Sequence, residues 1–390
     1  MITHDVNTFS KILANIESIR CELRNASREI EENRRVPLDI IETLRTIGIF
    51  GICFPQSLGG AGLTSIEQIT VLEELARGDT ATAWCAMIGC DSGIYSGFLE
   101  ENSAKEIFPH ANLAVAGWIH PQGKAEIVDG GYVVSGKWRF ASGSPHADVI
   151  SAGCFLYRNG NLVLDDKGRP IWRVMLARPS DYHFSDTWFT TGLRGSGSQD
   201  YSTQGLFIPE QHTFSFSAPK RHGPLHKTPD AILRKMSGIP LGLARACLDY
   251  IYDVADDRTD RVNDVKWRNS KRVQAAVANA ENQLFTTRNA VFTSVSTLWQ
   301  ALEAEAPHED ITHWRVQSAL SRRNAFQTAR TIISSLYDLQ GGGSIYTHET
   351  PFDRALRDIN TICQHAVAQE KILQVCGDIL LGGKVEDYFI

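Results

Sequence analysis

The chain has 390 residues and a net charge of −6, with 43% hydrophobic and 22% charged residues, a composition ordinary for globular proteins. This charge excludes the basic footprint of a nucleic-acid or anionic-membrane binder, and no segment approaches the roughly 18 uninterrupted apolar residues that cross a bilayer. The eight cysteines form no CxxC pair and the charged N-terminus lacks a signal-peptide core, so we expect reduced thiols, no metal site and a cytoplasmic protein of two or three packed units.

Residues 1–111 are predicted to form an N-terminal helical domain. Apolar residues recur there at helical spacing, as in Ile12, Ile16, Ile19 and Leu23. A loop, PQSLGGAGL at residues 55–63, interrupts the pattern because its glycines do not suit a helix. Helical patterning then resumes at 66–75 and at 81–99.

Residues 112–218 are predicted to form a central β-domain. Two β-type runs at 125–128 and 132–135 flank Asp129-Gly130-Gly131, and Asp-Gly tolerates the positive φ of a tight hairpin turn. Further β-type runs follow at 149–156, 171–177 and 205–208.

Residues 219–390 are predicted to form a C-terminal helical bundle. Apolar residues from Val273 to Leu302 step mostly by three and four, which indicates one long packed helix. Two more helices are predicted near 312–339 and 353–381, separated by Gly341-Gly342-Gly343.

Two short segments rich in glycine and serine carry the most information about function. They are WRFASGS at 138–144 and GLRGSGS at 192–198, and both lie at predicted strand margins. Such segments let backbone N–H and serine hydroxyl groups approach a flat polar ring or a phosphate closely. Each segment taken alone is more typical of an ordinary turn, but together, between two helical domains, they indicate a binding site.

These segments resemble those of the acyl-CoA dehydrogenase superfamily. WRFASGS is similar to the family's flavin-contacting strand, GLRGSGSQDY to its GLRGTGS-type segment, and PQSLGGAGL to its P-x-x-x-GG-x-G loop. LQGGGS at 339–344 and Arg357-Asp358 resemble the bundle segments that complete the site. The resemblance implies a mainly α fold with an N-terminal helical domain, a β-barrel or sandwich and a four-helix bundle. It also implies a homotetramer, with a dimer as the alternative.

The resemblance further implies which residues hold the flavin between the β-domain and the bundle. The isoalloxazine side would be faced by Trp138, Ser142, Ser144 and Ser198, with Ser142 as the partner of N5. The phosphate arm or its surroundings would be contacted by Arg194, Gly341, Gly342, Gly343 and Ser344. For Arg194, a salt-bridged structural role is an equally open interpretation.

His365 decides which branch of the superfamily the sequence favours. Acyl-CoA dehydrogenases commonly place a catalytic carboxylate about nine residues after the Arg-Asp pair, where this chain has Ala366 preceded by His365. A histidine here resembles the two-component flavin-dependent monooxygenases that share the fold. An imidazole with an ordinary pKa of about 6.5 suits acid/base work near neutral pH, although a histidine among apolar neighbours is also read as a core residue.

Three further residues are candidates for the pocket. His120, at the start of the β-domain, is a candidate catalytic residue, with a structural role equally open. Trp84 and Tyr95, on a helix before the β-domain, are candidate substrate-pocket residues, although aromatic residues at helical spacing usually belong to the core.

The resemblance implies a monooxygenase that uses reduced FMN and O₂, through a C4a-hydroperoxyflavin, to oxygenate a small aromatic or heteroaromatic substrate. The chain has no dinucleotide-binding GxGxxG or P-loop motif, so a separate NAD(P)H:flavin reductase would supply the reduced flavin. FMN is favoured over FAD because residues 258–272 are basic but lack the family's adenine-gripping Arg-Phe-Gly pattern. The alternatives are an FAD-dependent acyl-CoA dehydrogenase with a relocated carboxylate, Asp249 or Asp253, and a non-catalytic helical assembly subunit.

Overall fold

The N-terminal part of the chain is helical. The computed structural model describes residues 8–347, 349–384 and 389–390. Its first helices are α1 (Phe9–Asn33), α2 (Leu38–Ile47), α3 (Ser65–Ala76), α4 (Thr80–Gly89), α5 (Asp91–Tyr95) and α6 (Glu101–Ile107). Side-chain caps fix several starts: Asp79 accepts a hydrogen bond from the backbone N–H of Thr82 at 2.8 Å and so begins α4. Among the described helices, none combines the length and apolar character that a membrane span requires.

A mixed sheet follows. Its strands are β1 (Val115–Val128), β2 (Gly131–Ala141), β3 (Val149–Arg158), β4 (Asn161–Leu162), β5 (Trp172–Ala177), β6 (His183–Ser185), β7 (Gln199–Pro209) and β8 (Thr213–Phe214). The strand order is β6-β7-β2-β1-β3-β5-β8, with β4 paired to β3; β1 and β3 run parallel, and the other pairings are antiparallel. The predicted hairpin is confirmed, because Val128 pairs with Gly131 around Gly130 at φ +73°.

The C-terminal part returns to helices. It contains α7 (Ala231–Arg234), α8 (Gly238–Val254), the small hairpin β9 (Thr259–Asp260) and β10 (Val265–Lys266), α9 (Lys271–Glu303), α10 (His308–Gln340), α11 (Phe352–Ile362) and α12 (Lys371–Leu380). The long helices α9 and α10 pack against each other and against α8. This arrangement confirms the expected acyl-CoA dehydrogenase-like architecture, whereas the domain boundaries after residues 111 and 218 stay a prediction.

One helix prediction is wrong in a way that matters for the site. The helix expected near 353–381 ends at Ile362, and the chain makes a turn before α12 begins at Lys371. His365 lies in this turn, with extended backbone (φ −64°, ψ 145°), and its Nδ1 accepts a hydrogen bond from the backbone N–H of Val367 at 3.4 Å. The imidazole therefore caps the short 3-10 turn Ala366–Ala368 and does not sit within a helix.

Helix α11 contacts the β-domain through the GLRGSGS segment. The buried carboxylate of Asp358 accepts a hydrogen bond from the backbone N–H of Leu193 at 2.6 Å. The Arg357 guanidinium donates to the carbonyl oxygen of Thr191 at 2.8 Å. A Cβ on Gly192 would lie 2.1 Å from the carbonyl oxygen of Arg357, so only glycine fits this approach. The contacts hold the segment against the bundle, where the sequence places the site.

Candidate active site

The two glycine- and serine-rich segments meet at one point of the structure. The hydroxyl oxygens of Ser142 and Ser198 are 2.7 Å apart, and those of Ser198 and Ser196 are also 2.7 Å apart. The backbone N–H of Gly143 donates to the carbonyl oxygen of Ser196 at 2.8 Å. Gly143 and Gly197 have φ values of +80° and +54°, a backbone region that favours glycine. The pairing of these segments is therefore a physical contact.

The direction of the hydrogen bonds in this serine cluster follows from counting protons. The Ser196 hydroxyl donates to the carbonyl oxygen of Leu193 at 2.8 Å, and a carbonyl can only accept. Ser198 must therefore donate to Ser196, and Ser142 must donate to Ser198. The indole Nε1–H of Trp84 donates to Ser142 at 3.1 Å. The Ser142 hydroxyl thus has its proton committed and keeps one lone pair that can accept a further hydrogen bond.

His365 reaches this cluster through Trp84. The imidazole and indole ring centroids are 5.6 Å apart at an interplanar angle of 72°, an edge-to-face contact. Burial of the imidazole, reinforced by the nearby Arg322 guanidinium, lowers the pKa of His365 to about 4. At neutral pH the ring is therefore uncharged. Because its Nδ1 accepts the Val367 N–H, its single proton is on Nε2, which is a hydrogen-bond donor.

Side chains of α10 hold the His365 turn in place. Gln327 donates from Nε2 to the carbonyl oxygen of Ala368 at 3.0 Å, and Arg323 donates from Nε to that of Gln369 at 3.3 Å. Within the turn, Gln369 donates to the carbonyl oxygen of Cys363 at 2.7 Å. The position of the imidazole is thus set by a neighbouring helix, which keeps it against Trp84.

Arg194 has an unused donor at the same segment. Its Nε is buried and has no hydrogen-bond partner, and Arg194 makes no ion pair with any residue in the described part of the chain. A buried donor without a partner is costly unless a ligand supplies the acceptor. The hydroxyl of Ser144 instead donates to the carbonyl oxygen of Gly197 at 3.2 Å and so fixes the turn. The glycine turns, the Ser142 lone pair and the Arg194 donor together fit the polar edge and phosphate of a flavin.

The expected triple-glycine segment has no described contact with the serine cluster. Gly341 and Gly342 are exposed at the end of α10, and the Ser344 hydroxyl donates back to the carbonyl oxygen of Gly341 at 2.7 Å. Gly343 is partly buried. Within the described residues, no hydrogen bond joins this segment to the serine cluster.

The position expected for Trp138 needs correction. Its side chain is 0% exposed, its Nε1–H donates to the carbonyl oxygen of Gly153 at 2.8 Å, and its ring stacks on Tyr201 at 5.3 Å. The ring is thus core of the β-domain and does not face a groove. Phe140 is the aromatic residue that this strand exposes, at 40%, and its φ of +65° breaks the strand's alternation. Its ring lies 5.6 Å from that of Trp118.

Two other candidates lie apart from the cluster. Tyr95 is 4% exposed, and its ring centroid lies 5.2 Å from that of Phe214 and 6.2 Å from that of Phe216, so it is a core residue. His120 is exposed on β1, and no described contact links it to His365 or Ser142. Of the predicted residues, the structure therefore brings together Ser142, Ser198, Trp84 and His365, with Arg194 nearby in the chain.

The carboxylates proposed for the dehydrogenase alternative differ in availability. Asp249 is paired with Arg77 at 2.8 Å and with Arg245 at 2.8 Å, so both of its oxygens are engaged. Asp253 is exposed on α8. Neither has a described contact with His365 or the serine cluster.

Comparison with known proteins gives consistent matches across the chain. Two family models match, "Acyl-CoA dehydrogenase, N-terminal domain" over residues 17–107 and "Acyl-CoA dehydrogenase, C-terminal domain" over residues 236–370. Indole-3-acetate monooxygenase of Acinetobacter baumannii is 28% identical over 367 residues, which cover 93% of this chain and 91% of that protein. The oxygenase component of FADH2-dependent resorcinol hydroxylase from a Rhizobium species is 27% identical over 395 residues, covering 95% and 94%.

The fold is also shared with solved structures. The crystal structure of 3-HSA hydroxylase from a Rhodococcus species superposes with a TM-score of 0.87 at 22% sequence identity, covering 97% of this chain and 99% of that one. At this identity the superposition establishes the shared fold, including the helical, β and helical order described above.

Proposed function

Because the chain belongs to the acyl-CoA dehydrogenase superfamily, we propose that it is the oxygenase component of a two-component flavin-dependent monooxygenase. One observation carries the proposal: a neutral imidazole, His365, packs on Trp84, which donates to Ser142. Acyl-CoA dehydrogenases commonly have a carboxylate at this place, and this chain has Ala366 there. We therefore propose that an imidazole takes the place of the carboxylate beside the flavin.

We propose that the flavin is reduced FMN, held by Ser142, Ser198 and Arg194. When bound, the reduced flavin supplies the electrons that activate O₂. FMN is supported by the segment 258–272, whose Arg258 donates to Tyr250 at 2.9 Å and whose Arg272 pairs with Asp260 at 3.3 Å. Guanidinium groups that already have partners within the protein are less available to an adenine or a second phosphate. FAD is the alternative, since the resorcinol hydroxylase relative is named FADH2-dependent.

The protein's own residues would perform three tasks. The Ser142 lone pair accepts a hydrogen bond from the ring edge of the reduced cofactor, because the serine's proton is committed to Ser198. The indole of Trp84, 5% exposed, excludes water, which would otherwise release hydrogen peroxide. The neutral imidazole of His365, whose Nδ1 accepts the Val367 N–H, would donate a hydrogen bond from Nε2 to a substrate oxygen or nitrogen and so orient the substrate.

We further propose the partners. The substrate is a small aromatic or heteroaromatic compound, and indole-3-acetate, named for the Acinetobacter relative, is the first one to test. A separate NAD(P)H:flavin reductase supplies the reduced flavin, and we propose that both proteins are cytoplasmic. A homotetramer is proposed because the exposed Gly341 and Gly342 would then reach a neighbouring subunit's site.

The experiment measures coupling. Protein loaded anaerobically with chemically reduced FMN is mixed with O₂ and indole-3-acetate or other small aromatics, and product and hydrogen peroxide are quantified. We expect oxygenated product, and we expect His365→Ala to lower its yield about 10²-fold while hydrogen peroxide rises. His110→Ala, at an exposed histidine, is the control. Failure to bind reduced flavin at micromolar concentration, or bleaching of bound FAD by an acyl-CoA, would refute the proposal.

A further inference from the structure

Arg322 is a buried cation with unused donors. It occupies a core position of α10, between Ala319 and Phe326, and is only 2% exposed. Its Nε and Nη2 atoms are buried, and neither has a hydrogen-bond partner among residues 8–347, 349–384 and 389–390. A buried guanidinium in this state is costly unless an anion pairs with it.

Asp230, whose charge acts on Arg322, does not satisfy its open donors. Asp230 lies close enough to act on the Arg322 charge, but its Oδ1 accepts from Arg315 at 2.7 Å and its Oδ2 pairs with Arg234 at 3.3 Å. Arg234 also donates to the carbonyl oxygen of Pro224 at 3.0 Å. The carboxylate is therefore held by two other guanidinium groups, and the donors of Arg322 stay open.

The open donors have the geometry of a carboxylate site. Nε and Nη2 form one edge of the planar guanidinium, and their two N–H bonds point in parallel. This edge matches the two oxygens of a carboxylate, which it binds through two charge-assisted hydrogen bonds. An ammonium or a neutral donor at the same place would not give this paired recognition.

Arg322 also lies within electrostatic reach of the candidate active site. Its charge acts on the imidazole of His365, and His365 packs on Trp84. An aromatic acid bound beside Trp84 and His365 would therefore bring its carboxylate into the field of this guanidinium.

We propose that Arg322 binds the carboxylate of the substrate, so that the substrate is an aromatic carboxylic acid. That the bound acid is the substrate rests on the proposed function, whereas the anion site itself rests on the burial and open donors of Arg322.

The test compares aromatic acids with their amides by isothermal titration calorimetry. The panel contains indole-3-acetate, phenylacetate and benzoate, each with its amide, and the protein is used with reduced FMN under anaerobic conditions and also without flavin. We expect at least one acid to bind about 10- to 100-fold more tightly than its amide. Arg322→Met should abolish the preference, and Arg322→Lys should keep part of it. Arg28→Met, which removes an exposed arginine of α1, should change nothing.

Thermal unfolding guards against misreading a folding defect. Because Arg322 is unpaired, Arg322→Met should raise the melting temperature of the unliganded protein, and the acid that binds should stabilise wild type but not the variant. Equal binding of every acid and its amide would overturn the inference, as would a variant that is less stable yet keeps the preference. Acid preference without reduced-flavin binding would instead refute only the proposed function. Coupled oxygenation of amides as efficiently as acids would refute only the anion site.

Discussion

Asp358 joins the bundle to the β-domain with an unusual carboxyl group. The side chain is 5% exposed and accepts the backbone N–H of Leu193 at 2.6 Å. Burial raises its pKa to about 7, although the Arg354 guanidinium and the Leu193 hydrogen bond favour the ionised form. Replacing Asp358 with asparagine keeps a hydrogen-bond acceptor for Leu193 and removes the titration.

The raised pKa sets the sign and size of the expected effect. The folded protein holds the proton more tightly than the unfolded chain, where the pKa is about 3.9. The carboxyl's contribution to stability is therefore complete below about pH 4 and is lost as the pH rises through about 7. Between pH 5 and pH 8 the loss amounts to about 3 kcal/mol, at about 1.4 kcal/mol for each pH unit up to 7.

Urea unfolding of the wild type and Asp358→Asn at pH 5 and pH 8 measures this directly. The free-energy difference between the two proteins isolates Asp358, because other titrating groups contribute equally to both. We expect the variant to gain about 3 kcal/mol relative to wild type between the two pH values. An unchanged difference would show that this carboxyl does not titrate in the folded protein between pH 5 and pH 8.

Four further outcomes are expected. Ser198→Ala should free the Ser142 hydroxyl to donate to the flavin as well as to accept from it. Flavin-binding titrations should therefore show a several-fold smaller preference for reduced over oxidised flavin. Arg194→Met should weaken reduced-flavin binding about tenfold, measured by anaerobic fluorescence titration, and unchanged affinity would remove Arg194 from the site. The pH profile of coupled oxygenation near pH 6.5 should not depend on His365, because the imidazole is already neutral there. The profile of His365→Ala should therefore have the same shape near that pH. Gly192→Ala should cost several kcal/mol in urea unfolding, and a neutral change would contradict the close backbone approach.

Much of the fold follows from local pattern. Helical spacing predicts α1 and α9, and the Asp129-Gly130-Gly131 turn predicts the β1–β2 hairpin, because both depend on residues near each other in the chain. The break before α12 could not be found this way. Residues 363–370 contain no glycine or proline, and the turn depends on hydrogen bonds from Gln327 and Arg323 of α10.

Only those parts of the candidate site that lie in local sequence motifs can be predicted from the sequence. Ser142 and Ser198 lie in recognisable motifs. The exposure of Phe140 in place of Trp138 instead depends on the positive φ of Phe140, which no residue pattern predicts. Arg322 did leave a signal, since an arginine stands in the apolar stripe of α10 between Ala319 and Phe326. A charged residue at a core position indicates a buried partner or a bound ligand.

Leu193 links the two halves of the candidate site. Its carbonyl oxygen ends the serine cluster by accepting from Ser196, and its backbone N–H is bound by Asp358 of α11. Its φ of +49° lets both groups point to these partners from one residue. A shift of α11 would therefore move the acceptor that orients Ser196, Ser198 and finally Ser142. The orientation of the Ser142 hydroxyl is thus coupled to the docking of the bundle, which also carries His365 on the segment that follows α11.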